Sequence, residues 1–438
     1  MQPKTTRIDP PTVPNDPQDD SRIIIQGGRQ LHGSVRVGGA KNAVLKMMAA
    51  ALLSKHTTVL RNVPNLTDVQ MMATILRQLG ATVEINHNEV SIDASGVNSW
   101  EAPYELVSHL RASFVVLGPL LSRFREAKVS LPGGCAIGER KIDLHERGLK
   151  ILGADVRIDH GYVTASAKKL VGARMYLDRP SNGATENIML AAVCAEGTTI
   201  IENAAQDPEI VNLADCVNAM GGNIQGAGTY QITIEGVPFE EMHDAVVDTM
   251  PDRVEVGTFM LACMATGGEI LIEGANAHHL YSVISKVQEM GAEVAIYAPD
   301  VIRIKCDTTR FKGTDITTLP YPGFPTDLQA LFMPVMAVAE GTSIVEETIY
   351  ENRFMHAAEL RRMGADVVIK GNAAVIKGVD KLMGAEVKAS DLRAGAALIV
   401  AGLGAEGVTE VTGLRHLDRG YDRLEEKLRS IGAEIWRR

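Results

Sequence analysis

A phrase that recurs six times along the chain constrains its fold more than any other feature. A helical pattern, a glycine and an alternating apolar strand follow one another in LRQLGATVEI, LKILGADVRI, VNAMGGNIQG, VQEMGAEVAI, LRRMGADVVI and LRSIGAEIWR. The six glycines are spaced by 73, 68, 70, 73 and 68 residues, at Gly80, Gly153, Gly221, Gly291, Gly364 and Gly432. Solenoid repeats are shorter than this period. The spacing therefore predicts a pseudo-symmetric α/β protein of six units, in which glycine ends a helix before each strand.

A second phrase runs in step with the first, as a small apolar helix that ends at glycine before a strand. It reads AAVCAEGTTIIE, LACMATGGEILIE, MAVAEGTSIVEE and AGLGAEGVTEVTG. The helices MMAAALL, MLAAV and FMLACMA are apolar on nearly every side, which predicts burial inside the sheets rather than on their outer faces. A length of 438 residues exceeds the usual size of one core, so two domains are expected.

Charge and targeting signals narrow the class of protein. A net charge of -10 argues against non-specific nucleic-acid binding, although a local basic pocket can still hold a small anion. Residues 1–21 are rich in proline and aspartate without an apolar run, which predicts a disordered leader. No secretory, transit or membrane-spanning pattern is present, so we expect a cytoplasmic protein.

Cys135 differs from the other cysteines in its setting. Cys194, Cys216 and Cys263 lie in apolar helical patterns and Cys306 ends an alternating strand, so packing explains all four. Cys135 instead follows two glycines in LPGGCAIGERKIDLH, a loop with several basic residues. The nearby Arg140 and Lys141 would favour a thiolate. This pattern indicates a nucleophile or proton donor.

Several charged residues are candidates for an anion site. Lys41 and Asn42 begin a helix after Gly38 and Gly39, where the helix dipole and backbone N–H groups favour anions. Arg111 opens an otherwise apolar helix, where an unpaired charge is costly. Asp327 follows a proline-rich turn and fits either an N-cap or a general base.

The other charged candidate residues could have either a structural or a functional role. Arg353, Asp391, Arg393 and Arg419 each fit a solvated charged face, and DRLEEKLRS is predicted to be such a face with i,i+4 pairs. Taken together with the candidates above, they fit a phosphorylated substrate, which guanidinium groups bind well. No Walker, dinucleotide-binding or metal-ligand motif occurs, so neither a cofactor nor a metal is predicted.

An ordered set of motifs resembles one family. GGAKNA, LRASFVVLGPLL, LPGGCAIGERKIDLH, SNGATENIMLAA, FPTDLQA, ENRFMH, SDLRAGAAL and DRGYDRLEEKL are similar to the UDP-N-acetylglucosamine 1-carboxyvinyltransferases, a branch of the enolpyruvyl transferase (EPSP synthase-like) family. The likeness runs from about residue 23 to the C-terminus. It implies two inside-out α/β barrel domains, each of three repeated units. By this resemblance one domain spans 22–40 plus 251–438, the other spans 41–250, and the active site lies between them.

The resemblance also implies a reaction. Enolpyruvyl from phosphoenolpyruvate is transferred to the 3-hydroxyl of UDP-N-acetylglucosamine with release of phosphate, as the first committed step of peptidoglycan synthesis. The route is addition then elimination, and no cofactor is needed. Cys135 would protonate the methylene carbon of phosphoenolpyruvate, and Asp327 would take the proton of the sugar hydroxyl. The partners would be these two small molecules, with no nucleic acid, membrane or obligate protein partner.

Further residue roles follow from the resemblance alone. The residues implied to hold phosphoenolpyruvate are Lys41, Asn42, Arg140 and Arg419, with Lys41 and Arg419 also catalytic. Those implied to line the nucleotide-sugar site are Asn42, Arg111, Arg140, Lys141, Ile142, Asp143, Leu144, Asp327 and Ile349. Those implied to support the site are Arg353, Asp391 and Arg393.

Two alternatives stay open at the level of sequence. The same fold serves 5-enolpyruvylshikimate-3-phosphate synthase, although that enzyme lacks the cysteine loop. A catalytically silent relative that binds nucleotide sugar for regulation is the second alternative. Thr67, Val171 and Lys141 depart from residues common in the family, which bears on nucleotide affinity rather than on the catalytic set.

Overall fold

A computed structural model describes residues 21–102, 107, 110–131, 137–138, 141–307 and 311–438, and only the backbone of Arg111. Its helices, α1 to α12 in chain order, are Lys41–Ala50, Thr67–Gln78, Leu117–Phe124, Asp143–Ile151, Asn182–Ala192, Pro208–Ala219, Arg253–Thr266, Tyr281–Met290, Thr326–Ala337, Ala357–Arg362, Leu392–Gly404 and Leu424–Ser430. Short 3-10 helices are Ala51–Leu53, Arg111–Val116, Phe239–Glu241, Ala277–Leu280 and Leu414–His416.

The strands of the described part of the chain form six small sheets. Three sheets are built from strands between residues 57 and 248. Each is given in the spatial order of its strands: Ala245–Asp248, Thr57–Arg61, Glu89–Asp93 and Thr82–Asn86; Glu126–Ser130, Tyr162–Ser166 and Asp155–Asp159; and Asn223–Gln225, Gln231–Glu235, Thr198–Glu202 and Arg174–Tyr176. The others are Glu293–Ala298, Val301–Cys306, Gly268–Glu273 and Leu31–Arg36; Ile316–Thr317, Thr342–Glu346, Ala373–Lys377 and Asp366–Lys370; and Glu386–Lys388, Val408–Thr412, Ile23–Gln26 and Glu434–Arg437. Each mixes antiparallel and parallel pairs, except that of 126–166, which is antiparallel in its described strands.

The six glycines of the repeated phrase share one backbone conformation. Each follows a helix, precedes the edge strand of a different sheet, and has a positive φ between 97° and 113°. This left-handed region suits glycine because it has no Cβ. The prediction that glycine ends each of these helices is confirmed.

Apolar helices fill the interior, as their composition predicts. In α5, α7, α9 and α11 nearly every residue is buried, and α7, α9 and α11 pack against one another. Buried side chains form two clusters, which we call the first core (between Ala40 and Met250) and the second core (Ile23–Val37 with Val254–Ile435). Of the chain that is described, no helix is both long and apolar enough to cross a bilayer.

The helix in DRLEEKLRS is the solvated face that the sequence indicates only in part: Arg423 and Glu426 are exposed and pair at 3.4 Å, three residues apart. Glu425 is buried and accepts a hydrogen bond from Arg437 at 2.9 Å, while Lys427 lies 2.6 Å from the buried Glu255. These partners come from other elements of the second core. The interpretation as a face of i,i+4 pairs is wrong for Glu425 and Lys427, because distant segments supply their counter-charges.

Candidate functional site

Lys41 and Arg419 meet at one buried carboxylate. Lys41 begins α1, and its Nζ lies 2.7 Å from Oδ2 of Asp68, whose side chain is 2% exposed. Arg419, which belongs to the second core's segment of the chain, donates from Nε to Asp68 Oδ1 at 2.9 Å. Asp68 lies in the first turn of α2. One carboxylate therefore joins two cations that are far apart in sequence.

The pKa values of this group reflect burial and charge together. Burial lowers the pKa of Lys41; Asp68 opposes this shift, and the cations Arg419 and Arg393 add to it. Burial would raise the pKa of Asp68, but Lys41 and Arg419 together hold it below its usual value. The positive charge of Arg393 is therefore close enough to Lys41 to lower its pKa.

Asp327 is held by two arginines. It lies in the first turn of α9, one residue past the helix start rather than at the N-cap, which is Pro325. Its Oδ1 accepts from Arg353 and its Oδ2 from Arg393, both at 2.7 Å. Burial works to raise the pKa of Asp327, but Arg393 and Arg353 hold that pKa well below its usual range. Asp327 is therefore an ionised carboxylate at neutral pH.

The two arginines are themselves buried, contrary to a solvated charged face. Their side chains are each 5% exposed. Arg393 follows Asp391, the N-cap of α11, whose Oδ1 accepts from the backbone N–H groups of Arg393 and Ala394 at 2.9 and 3.0 Å. Arg393 also lies 5.7 Å from the ring centre of Tyr421. Asp391 thus fixes the helix that presents Arg393.

The structure describes some of the remaining predicted residues and not others. Asn42 is half-buried beside Lys41, and its carbonyl accepts from Lys46 at 2.7 Å. Ile349 is half-buried in a turn where its backbone N–H donates to Glu347 at 2.8 Å. Cys135 and Arg140 lie outside the described residues, as does the side chain of Arg111, whose backbone begins a 3-10 helix.

Residues 141–144 form the entry to α4. Lys141 is exposed, Ile142 is half-buried and Leu144 packs in the first core. Asp143 pairs with Arg179 at 2.7 Å, which lowers its pKa.

The described part of the cysteine loop touches the second core. Ile137 is buried, and its carbonyl accepts from the backbone N–H of Asn352 at 3.0 Å. A Cβ added to Gly138, whose φ is 149°, would lie 2.6 Å from Oε2 of Glu351. Ile137 and Gly138 therefore pack against the turn that leads to Arg353.

Sequence reasoning missed Asp68 and Glu347. Asp68 in NLTDVQ looks like an ordinary acidic residue of a first helical turn. Glu347 in VEETIY looks like the end of a strand. Neither has a local pattern that separates it from such roles, because its partners lie elsewhere in the chain.

No group of three or more His, Cys, Asp or Glu side chains within the described residues could hold a metal ion.

Comparison with known proteins decides the family. A family model described as EPSP synthase (3-phosphoshikimate 1-carboxyvinyltransferase) matches residues 25–428. UDP-N-acetylglucosamine 1-carboxyvinyltransferase 1 of Caldanaerobacter subterraneus subsp. tengcongensis is 52% identical over 418 residues, which cover 95% of this chain and 100% of the relative. The protein named UDP-N-acetylglucosamine 1-carboxyvinyltransferase in Desulfosudis oleivorans is 53% identical over 416 residues, or 95% and 99% of the two chains. The chain belongs to the EPSP synthase family, among the UDP-N-acetylglucosamine 1-carboxyvinyltransferases.

Solved structures agree with this membership. The enolpyruvyl transferase NikO from Streptomyces tendae matches with a TM-score of 0.87 at 25% identity and covers 95% of this chain and 98% of its own. An EPSP synthase from Acinetobacter baumannii matches in fold with a TM-score of 0.73 at 18% identity, over 95% and 99% of the chains. The α/β fold is thus that of enolpyruvyl transferases, and the chain is a transferase.

Proposed function

We propose that this enzyme transfers the enolpyruvyl group of phosphoenolpyruvate to the 3-hydroxyl of UDP-N-acetylglucosamine and releases phosphate. The observation that carries the proposal is the Asp327 carboxylate, ionised and held 2.7 Å from each of two buried arginines, with the Lys41–Asp68–Arg419 cluster close enough to interact with Arg393. A carboxylate can accept the proton of a hydroxyl substrate, and the neighbouring cations can bind the anionic groups of a phosphorylated substrate. The names of the relatives support the choice of acceptor.

Asp327 is the proposed acceptor of the sugar hydroxyl's proton. Its strong pairing makes it a weak base at rest, so the transfer requires the hydroxyl to lie within hydrogen-bond distance as the new C–O bond forms. Once Asp327 is protonated, Arg353 and Arg393 lose part of their counter-charge. Their positive charge then favours the negative charge that develops on the other substrate.

Cys135 is the proposed proton donor. In the addition step, the sugar oxygen bonds to C2 of phosphoenolpyruvate while the methylene carbon takes a proton from the Cys135 thiol. In the elimination step, the C–O bond to phosphate breaks, the Cys135 thiolate left by the addition takes back one proton from the methyl group, and the enol ether forms. The departing phosphate takes up the proton held by Asp327, which restores both residues. The contact of Ile137 with Asn352 supports a position for this loop against the second core.

The cations divide between the two substrates in this proposal. Lys41, Arg140 and Arg419 hold the phosphate and carboxylate of phosphoenolpyruvate, where preorganised positive charge stabilises the leaving group. Asn42 contacts both substrates. The nucleotide-sugar site is assigned to the set Asn42, Arg111, Arg140, Lys141, Ile142, Asp143, Leu144, Asp327 and Ile349.

We also infer the finer architecture of the family. The common φ of the six glycines and the six small sheets support two inside-out barrels of three units each. The two hydrophobic clusters support domains of 41–250 and of 22–40 plus 251–438. Hydrogen bonds between segments of the two cores, such as Thr67 N to Asp418 O at 3.2 Å, support a substrate site between the domains.

Phosphate release tests the acceptor. Purified enzyme with phosphoenolpyruvate should release phosphate when UDP-N-acetylglucosamine is added, and should not do so with shikimate 3-phosphate. The reverse result would assign the EPSP synthase reaction. Release with neither acceptor, together with calorimetric binding of the nucleotide sugar, would favour the silent regulatory relative.

A further inference from the structure

Glu347 is a buried carboxylate that no catalytic role so far explains. Its side chain follows the strand Thr342–Glu346 and the residue is 2% exposed. Its Oε1 accepts from the backbone N–H groups of Ile349 and Tyr350, at 2.8 and 3.1 Å, and from the Thr318 hydroxyl at 2.8 Å. Its Oε2 accepts from the Thr326 hydroxyl at 2.7 Å. A buried charge of this kind needs such donors, and here they tie several segments to one residue.

The Thr326 hydroxyl connects Glu347 to Arg353. Arg353 donates from one terminal nitrogen to Thr326 Oγ1 at 2.8 Å, and Thr326 in turn donates to Glu347 Oε2. A guanidinium only donates, so the Thr326 oxygen accepts from Arg353 and its hydroxyl proton goes to Glu347. The other terminal nitrogen of Arg353 donates to Asp327. A continuous chain of hydrogen bonds thus runs from Glu347 to the proposed base.

Arg353 has few other groups that fix its orientation. Its Nε is buried and has no hydrogen-bond partner among the described residues. Its guanidinium carbon lies 5.3 Å from the ring centre of Tyr350. Thr326, Asp327 and the Tyr350 ring therefore set its position, and Glu347 binds both Thr326 and the Tyr350 backbone. Asn352, which donates to Ile137 of the cysteine loop, lies on the same turn.

We propose that Glu347 is a positioning residue for the reaction, which holds Arg353, and through it Asp327, by way of Thr326. The proposal rests on the assignment of Asp327 as the base under the proposed function. Glu347 touches no reacting atom in it. Its contribution is to keep the Arg353 guanidinium at one angle to the Asp327 carboxylate, since small misplacements near a reacting group are costly in rate.

Thr326→Val breaks the chain at its middle with little change of volume. We expect kcat for phosphate release to fall between about tenfold and a hundredfold, with KM for UDP-N-acetylglucosamine changed less than about threefold. Thr326→Ser keeps the hydroxyl and should restore kcat to near the wild-type value. Glu347→Gln removes the charge that accepts from Thr326 and should lower kcat to a similar degree.

Thr314→Val is the matched control. Thr314 is buried in the second core's part of the chain, accepts from Lys286 at 3.3 Å and donates to the Glu289 carboxylate, so it has the same order of cation, hydroxyl and carboxylate, with partners more exposed than Arg353 and Glu347. Because its partners are more exposed, Thr314→Val should lower the melting temperature no more than Thr326→Val does. Only Thr326→Val should lose kcat, and the double variant Thr326→Val/Glu347→Gln should be no worse than the single ones.

The outcomes are distinct. If Thr326→Val kept the wild-type kcat, the positioning role of Glu347 would be overturned while the proposed function would stand. The same would follow if Thr314→Val lost as much kcat as Thr326→Val at the same melting temperature. A loss in Thr326→Val that Thr326→Ser does not rescue would also overturn it. Wild-type enzyme that releases no phosphate with UDP-N-acetylglucosamine would overturn the proposed function and this inference together.

Discussion

The carboxylate of Asp68 lies 2.7 Å from Nζ of Lys41; burial lowers the pKa of Lys41, whereas Lys41 and Arg419 hold the pKa of Asp68 below its usual value against the effect of burial. Arg419 binds the other oxygen of the same carboxylate at 2.9 Å. Asp68 thus balances two cations that the proposed function assigns to an anionic substrate. It holds them in place before that substrate arrives.

Asp68→Asn should destabilise the fold. Two cations would lose a buried counter-charge, and a charged group left without its partner costs about 1–3 kcal/mol or more. Urea unfolding should show a lower free energy of unfolding. Asp178→Asn, which removes an exposed partner of Arg147, is the control and should change that free energy by less than about 0.5 kcal/mol. Equal stability of Asp68→Asn and wild type would contradict the role of Asp68.

Asp327 should make stability depend on pH in the acid range. Its pKa is lower in the folded state than in the unfolded chain, so its pairing with Arg393 and Arg353 stabilises the fold above the unfolded pKa near 3.8. That contribution is lost as pH falls from the unfolded pKa toward the folded one. Between about pH 5 and 3, wild type should therefore lose more unfolding free energy than Asp327→Asn. Parallel pH curves for the two proteins would show that the ion pairs do not matter to stability.

Gly138→Ala should impair docking of the cysteine loop. The added Cβ would lie 2.6 Å from Glu351, at a φ of 149° that other residues rarely adopt. We expect kcat to fall at least about fivefold with little change in melting temperature, because the site lies on a loop. Gly161→Ala, at a positive φ with open space around it, is the control and should keep wild-type kcat. Similar kcat values for the two variants would contradict this account.

Cys135 should be the cysteine that an electrophile labels. The other four are buried. Burial raises the pKa of the Cys194 thiol, and it raises the pKa of Cys216 to about 12, so the thiolate fractions of these two residues are small. An epoxide phosphonate such as fosfomycin should alkylate Cys135 and stop turnover. Peptide mass spectrometry checks the site of modification, with Cys216→Ala as a variant that should be labelled as fully as wild type. Label on another cysteine would remove Cys135 from its role.

The sequence predicts much of the architecture because local rules govern it. The spacing of Gly80 and its five counterparts predicts where helices end, and the apolar composition of α5 and α7 predicts their burial. The site is harder to predict. Arg353 and Arg393 resemble surface charges until Asp327 is known to lie between them, 26 and 66 residues away in sequence.

Long-range pairing also explains why the sequence alone did not reveal the roles of Asp68 and Glu347. Asp68 meets Arg419 across 351 residues, and Glu347 reaches Thr326 across 21. Nothing in the local sequence specifies either partner. The family resemblance indicates which residues contact substrate, but the positions of their buried partners follow only from the fold.

Solvent deuterium provides the most direct test of the proposed reaction. If a proton is added to the methylene carbon of phosphoenolpyruvate and a methyl proton is later removed, turnover with UDP-N-acetylglucosamine in D2O should place deuterium in the vinyl group of the product. Proton NMR and mass spectrometry of the purified nucleotide sugar should show that group on the 3-oxygen with partial deuteration. A carboxyvinyl product without deuterium, or no such product at all, would contradict addition and elimination at this site.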